Sequence, residues 1–413
     1  MLPIYRDVLL VSILTTIIYL LYYSVNTYYL TRHESVTKPE LNVDLEEVTV
    51  VVPVYNEKVD VFEKVVAAIK EQNVRFVVVG DSSNEPYRSI VERNGGTFVY
   101  LQNRSGKRIA ISEGMQRVTT KFVLFVDSDT TLPPDTVVKM LGHFDENVGG
   151  VGANVSVRRS PSGASYSAEF LERTREVILK AMAANGGSVM VIDGKCAMYR
   201  TELVKPLLIS DEFRNYRVAG RVATMGDDQQ LTAYIIRNGY KAAKCFDVTV
   251  ETEPPEDFRQ FAKQSVRWAR SSYYYFIKNL FDGTTFKAGP FYAFEAISTF
   301  ALPVITLGLG FFRLYLSIHI LGTYAGNSLD TILDLLANPS VLFTNRVDRA
   351  LLHPFLTLIS LPGPIIFGTA VAYNLRKERL RTLGYGGLAL LIIFFTSIYG
   401  FMTCWKQSKW MTR

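Results

Sequence analysis

Three short, largely apolar runs, Val48–Val54, Val74–Val79 and Phe122–Val126, are separated by stretches of helical periodicity at Val59–Lys70 and Ser105–Val118. Apolar runs of this length read as strands buried on both faces. Strands alternating with helices constrain the chain to an α/β fold built on a doubly wound parallel sheet. In such a sheet a ligand binds beyond the carboxyl ends of the strands. Polar residues stand at those ends: Tyr55-Asn56-Glu57 after the first, Asp81 after the second, Asp127-Ser128-Asp129 after the third. Together they predict one binding edge.

The chain is 413 residues long, enough for one large catalytic domain and a membrane region. Its mean hydropathy of +0.12 and 48% hydrophobic content exceed those of most soluble enzymes, while 20% charged residues leave a substantial aqueous part. The net charge of +6 suits an anionic membrane face and anionic substrates. No nucleic-acid-binding motif accompanies it, so nucleic acid is not an expected partner. Cys196, Cys245 and Cys404 show no CxxC or other metal spacing. That argues against a disulfide framework and for a reducing compartment.

Val8–Val25 is an uncharged apolar run with no small-residue cleavage site, and reads as an uncleaved anchor. Residues 33–47 read as a polar linker. Residues 255–282 mix Arg and Lys with Phe, Trp and Tyr at helical spacing, the composition of a helix lying in the membrane interface. Further apolar segments run from Ala296 to Phe312, from Phe355 to Tyr373 and from Leu383 to Cys404. Arg376, Lys377, Arg379 and Arg381 before the last segment, and Lys406, Lys409 and Arg413 after it, both favour the cytosol. One full span cannot satisfy both. Gly384, Gly386 and Gly387 favour a re-entrant or interfacial path for that segment, and an extra span near Leu314–Leu321 is the other solution.

The remaining motifs carry chemistry. Asp127 and Asp129 suit a hard divalent cation that would neutralise a diphosphate leaving group. Gly226-Asp227-Asp228 precedes an apolar helix, and one of these carboxylates could serve as a general base. Gln264-x-x-Arg267-Trp268 offers a cation for a diphosphate and a flat face for a sugar ring. Gly106-Lys107-Arg108 opens a helix, a placement that suits phosphate. Trp410 and Arg413 repeat the Trp and Arg chemistry at the end of the chain, and Asn185-Gly186-Gly187 through Arg200 reads as a loop closed by a strand. Each motif alone also fits a cap, a turn or an interface anchor.

Taken in order, these motifs resemble the processive membrane glycosyltransferases of family 2, which include hyaluronan, chitin and cellulose synthases and the chitin-oligosaccharide synthases of nodulating bacteria. The resemblance covers Val48 to Trp268 and the Trp410–Arg413 tail. Gly149-Gly150-Val151-Gly152, Cys196-Ala197-Met198-Tyr199-Arg200-Thr201 and Gln264-Ser265-Val266-Arg267-Trp268-Ala269-Arg270 look most like hyaluronan synthases and the fungal capsule-type synthases. The resemblance implies a Rossmann-like nucleotide-diphospho-sugar transferase (GT-A type) domain joined to transmembrane and interfacial helices. It implies that Tyr55, Glu57 and Asp81 bind uridine, that Lys107 and Asp127 contact the nucleotide and that Asp129 holds Mg²⁺ or Mn²⁺. Asp228, beside Asp227, would be the base. Gln264, Arg267 and Trp268 would hold the acceptor terminus and diphosphate, and Trp410 and Arg413 would close over it.

The chain departs from hyaluronan synthases where Asp193-Gly194-Lys195 replaces Ser-Gly-Pro, where Gln229 replaces a basic residue, and in having one clear N-terminal span. These positions bear on the sugar. A glucuronate donor would need a cation near its carboxylate, and Lys195 is a candidate. The expected division is an anchor (1–32), a cytosolic catalytic domain (33–254), interface helices (255–287), a membrane region (288–404) and a cytosolic tail (405–413). The expected enzyme is inverting and processive. It would take UDP-GlcNAc, with UDP-GlcA as a second donor, extend a polysaccharide and pass it through the plasma membrane. Chitin-type synthesis, single-sugar transfer to a lipid phosphate, and an inactive transporter or scaffold are the alternatives.

Overall fold

The computed structural model describes residues 2–33, 44–309, 311–312, 362–375 and 378–408. The chain divides into two compact units, Met1–Tyr28 with Phe294–Ala370, and Tyr29–Ala293 with Val371–Arg413.

The second unit is built on an eight-stranded sheet. Its strands are β1 (Val48–Val54), β2 (Arg75–Asp81), β3 (Thr97–Leu101), β4 (Phe122–Val126), β5 (Thr130–Thr131), β6 (Val148–Val157), β7 (Cys196–Arg200) and β10 (Lys241–Thr252). A separate ribbon pairs β8 (Arg217–Val218) with β9 (Arg221–Val222). The sheet order is β3-β2-β1-β4-β7-β6-β10-β5. Val48, Val50, Val51, Val52 and Val54 are buried on both faces of β1, and Val78, Val79 and Leu124 are buried beside them. Valine suits this environment because its branched side chain is already stiff in extended backbone.

The expected strands and helices form, with two differences. β2 runs on through Asp81, so that carboxylate ends the strand. The sheet is also mixed: β7 runs antiparallel to β4 and β6, and β5 antiparallel to β10. The reversal of β7 has a functional result. The segment before β7, not after it, reaches the carboxyl edge of β4, where the Asp127 N–H donates to the Lys195 carbonyl at 3.1 Å.

A 22-residue helix, Gly163–Ala184, escapes the apolar-periodicity reading because its buried face is partly ionic. Arg173 is fully buried there; it pairs with Glu169 at 3.0 Å and with Glu176.

The predicted interfacial helix is Phe258–Phe281, capped by Asp257, which accepts from the Gln260 N–H at 2.7 Å. The last apolar segment is one continuous helix, Arg379–Phe401, and its glycines do not break it. They mark contacts instead: a Cβ on Gly386 would lie 2.7 Å from the Phe170 ring, and one on Gly400 would lie 2.4 Å from Ala269 Cβ. The helix therefore packs at backbone distance on both the Gly163–Ala184 and the Phe258–Phe281 helices, while Leu380, Leu391 and Phe395 face outward.

The Leu2–Thr31 helix contains the Val8–Val25 run, which lies in the first unit. Buried Asn26 donates to Glu295 at 2.7 Å there. Among the described residues, Pro290–Leu309 and Arg379–Phe401 are helices long and apolar enough to cross a membrane. The Phe355–Tyr373 segment is described from Pro362 onward. Leu314–Leu321, Trp410 and Arg413 lie outside the described residues.

Candidate active site

The carboxyl edge of the central strands gathers most of the predicted residues. Lys107 is the first residue of the Lys107–Gln116 helix, set there by Gly106. Both oxygens of the buried Asp81 carboxylate hold the preceding loop, accepting from the Ser105 and Gly106 N–H groups at 2.6 and 2.8 Å. Asp81 thus fixes the turn that aims Lys107. The Lys107 ammonium donates to Asp127 at 2.6 Å and lies 3.7 Å from Asp227. Burial works against its charge, but Asp127 and Asp227 outweigh burial and raise its pKa.

Asp227 and Asp228 occupy the first turn of the Asp227–Arg237 helix, where the helix dipole favours anions. The helix begins four residues earlier than its apolar stripe, which starts at Leu231. Gly226, its cap, has φ +76°, and a Cβ there would lie 2.6 Å from Ser271 Oγ and from the Tyr275 ring. Only glycine meets both conditions. The two carboxylates differ. Burial would raise both, but Lys107 and Arg108 outweigh it at Asp227 and lower that pKa. At Asp228, burial and the neighbouring Asp227 charge dominate and push the carboxyl up to about 7.

Arg108, next to Lys107 in the same turn, is buried and turned elsewhere. It donates to Gln230 Oε1 at 2.6 Å and to the Met225 carbonyl at 2.9 Å, and stacks near Phe213 and Tyr216. Its task is to hold the turn that carries the two aspartates. Gln229 bridges to Ser272 at 2.9 Å and Ser271 at 3.1 Å, tying that turn to the Phe258–Phe281 helix.

On that helix Gln264 and Trp268 are half-buried and one turn apart. Arg267 between them faces Asp127, Asp227, Asp228 and Asp129. Burial lowers its pKa against the pull of those four carboxylates. Four carboxylates, Asp127, Asp129, Asp227 and Asp228, and three cations, Lys107, Arg267 and the more deeply set Arg108, act on one another at this edge. That leaves excess negative charge, which a divalent cation would offset, and Asp127 and Asp129 supply the hard oxygen donors it prefers. The donor set fits a metal. Burial and Asp129 raise the Asp127 pKa against the pull of Lys107, as crowded anions require.

Glu57 is buried and receives the Ser128 hydroxyl at 3.1 Å, which links the first strand end to the Asp127–Asp129 loop. Tyr55 stacks under the Arg104 guanidinium, 4.1 Å from its ring centroid.

Sequence reasoning treated Asp193-Gly194-Lys195 chiefly as a departure. In the structure this loop forms one wall of the site. A Cβ on Gly194 would lie 3.4 Å from Lys107 Nζ and 3.6 Å from Asp228 Cβ. Buried charges hold the loop: Asp193 pairs with Arg175 and Lys244, and Lys195 pairs with Glu172 at 2.8 Å. Glu172 also takes Arg175 at 3.0 Å. Lys195 Nζ lies 5.3 Å from the Trp268 ring centroid. The helical pair Glu172-x-x-Arg175 was the sequence signal for this network. Its partners are distant in the chain, so spacing alone did not reveal it.

The family model for glycosyltransferase like family 2 matches residues 46–271. An N-acetylglucosaminyltransferase of Azorhizobium caulinodans is 32% identical over 55% of this chain and 59% of its own length. An N-acetylglucosaminyltransferase of Rhizobium meliloti is 28% identical over 61% of each chain. The chain thus spans about three fifths of the length of these relatives. A mannosyltransferase from Pyrobaculum calidifontis, solved with GDP-Man and Mn²⁺, superposes with a TM-score of 0.55 over 90% of this chain and 100% of its own, at 21% identity.

Proposed function

Because the chain belongs to glycosyltransferase family 2, matched over more than half its length, and has the GT-A type fold, we propose that it polymerises a UDP-activated N-acetylhexosamine. The proposed enzyme is inverting and processive, with UDP-GlcNAc as donor and a β-linked polysaccharide as product.

The observation that carries this reading is Asp228. Its carboxyl, pushed up to about 7, sits beside Gly194 and opposite Lys107 and Arg267. A base with that pKa is poised for proton transfer near neutrality. Asp228 takes the proton of an acceptor hydroxyl as its oxygen attacks the anomeric carbon. The bond from that carbon to the diphosphate breaks on the opposite face, so a single displacement inverts the anomer. Lys107 and Arg267 meet the charge growing on the leaving UDP. Mg²⁺ or Mn²⁺, held by Asp129 with Asp127, would supply the remaining positive charge when bound. The Trp268 face supports the terminal sugar of the acceptor. Tyr55, Glu57 and Asp81 form or brace the nucleoside side of the site. Trp410 and Arg413 are proposed to close it.

Lys195 bears on the sugar. Its ammonium is already paired with Glu172, so it has no surplus charge for a uronate carboxylate. This favours an uncharged donor, in line with the N-acetylglucosaminyltransferase relatives. Hyaluronan synthesis, which alternates UDP-GlcNAc with UDP-GlcA, is the second reading, supported by the Cys196–Thr201 and Gln264–Arg270 segments. We place the catalytic unit in the cytosol and the apolar helices in the plasma membrane, with the growing chain leaving through them.

The test is a product assay on detergent-purified protein with Mn²⁺ or Mg²⁺ and radiolabelled UDP-GlcNAc, with and without UDP-GlcA. Chitinase-sensitive polymer from UDP-GlcNAc alone supports the first reading. Polymer requiring both donors and cut by hyaluronidase supports the second. UDP release with only single-sugar products would overturn polymerisation.

A further inference from the structure

A second constellation of metal-binding side chains lies apart from the residues assigned to catalysis. It is made by a bulge in β10. Cys245 pairs with Ala153 of β6 and Thr249 with the next residue, Asn154, so Phe246, Asp247 and Val248 have no partner on β6. Bulges of this kind re-aim side chains and seldom persist without a use. Here Asp247 comes beside Cys245, and both meet His143, in the turn after the Thr136–Leu141 helix.

The His143 ring nitrogen lies 3.0 Å from Asp247 Oδ2. One ligand atom from each of His143, Cys245 and Asp247 lies within 4.8 Å of the others. Ligands around a tetrahedral zinc ion are about 3.3–3.8 Å apart, given bonds of about 2.0–2.3 Å. The most distant pair therefore needs to close by about an ångström. Cys245 is fully buried, and the His143 and Asp247 side chains are 17% and 15% exposed. The sulfur forms the floor of the site, and the nitrogen and oxygen form its rim.

A second histidine stands on the same patch. His33 meets the bulge residue Phe246 edge-on at 4.9 Å, and Asp247 and His143 are among its electrostatic neighbours. The chain has only four histidines, and two of them are here. The sequence hides the grouping, because its members are scattered from residue 33 to residue 247.

We propose that His143, Cys245 and Asp247 form a zinc-type site, distinct from the carboxylate site for Mg²⁺ or Mn²⁺. One sulfur, one imidazole nitrogen and one carboxylate select a borderline-soft ion over hard ones. Three protein ligands leave a fourth position for water or His33. Binding replaces the Cys245 S–H by a sulfur–zinc bond and releases that proton to solvent. The ion would clip the bulge of β10 to the turn after the Thr136–Leu141 helix.

The test uses the full chain in detergent, with bound zinc measured by mass spectrometry and Co²⁺ substitution followed by absorption. One zinc per chain is expected, with a thiolate-to-cobalt charge-transfer band. Cys245→Ser should abolish the band and His143→Asn should weaken zinc binding at least tenfold, while Cys404→Ser and Asp129→Ala leave both unchanged. Absence of the band from the native chain, or its survival in Cys245→Ser, overturns the proposal. His143→Asn keeps the test valid if the cysteine variant does not fold: unchanged zinc content in that variant also overturns it.

Discussion

Lys107 donates to Asp127 at 2.6 Å, so the cation proposed to meet the donor diphosphate is held by the carboxylate that follows the central strand β4. The pair makes the site self-consistent before substrate arrives. Replacing Lys107 with Met leaves Asp127, Asp129, Asp227 and Asp228 facing one another with Arg267 and Arg108 as the cations acting on them. We expect kcat/KM to fall by about 10²–10³, the range for losing one electrostatic contact to the transition state. UDP-release kinetics check this.

Asp228 gives a pH prediction. A carboxyl pushed up to about 7 must be ionised to serve as the proposed base, so activity should rise through about pH 7 and then level off. Asp228→Asn should lower kcat by about 10²–10⁴ and remove that rise, while UDP binding measured by calorimetry persists.

The same shift has a consequence for stability. The folded protein holds the Asp228 proton more tightly than the unfolded chain does. This contribution is full below the unfolded value near 4 and is lost as pH rises toward about 7. Asp228→Asn cannot ionise. At pH 8 it should therefore melt at a higher temperature than the native protein, with the difference shrinking toward pH 5. Thermal scans at the two pH values decide it.

Gly226→Ala should destabilise by at least about 1–2 kcal/mol from its left-handed backbone alone, before the contact with Ser271 and Tyr275 is counted. Because Gly226 caps the helix bearing both aspartates, catalysis should fall with stability. A denaturant titration alongside an activity assay tests both parts.

Chelation should remove activity, and Mn²⁺ or Mg²⁺ should restore it. Asp129→Ala should raise the metal concentration needed for half-maximal rate by tenfold or more. A metal titration of the UDP-release rate at saturating donor measures this.

Much of the architecture and the site was legible in the chain. The short valine runs of β1 and β2, rich in β-branched residues, point to buried strands, and the polar residues at their ends lie at the candidate site. The reversal of β7 was not legible, because Cys196–Arg200 looks the same in either direction and strand order depends on contacts far apart in sequence. The Gly163–Ala184 helix was hidden because Arg173 and Glu176 are buried as an ion pair where periodicity expects apolar residues. The structural role of Arg108 was not legible because Gln230 and Met225, which claim its guanidinium, are more than a hundred residues away.

Gly400 leaves no room beside Ala269, and Ala269 directly follows Trp268. The outward-facing Leu391 and Phe395 thus share a rigid joint with the turn that carries Arg267 and Trp268. On the proposed reading, the height at which an acceptor sugar is gripped would be set by how deeply a greasy rod is immersed, and not by a flexible tether. Detergent chain length and lipid thickness would then act as kinetic variables.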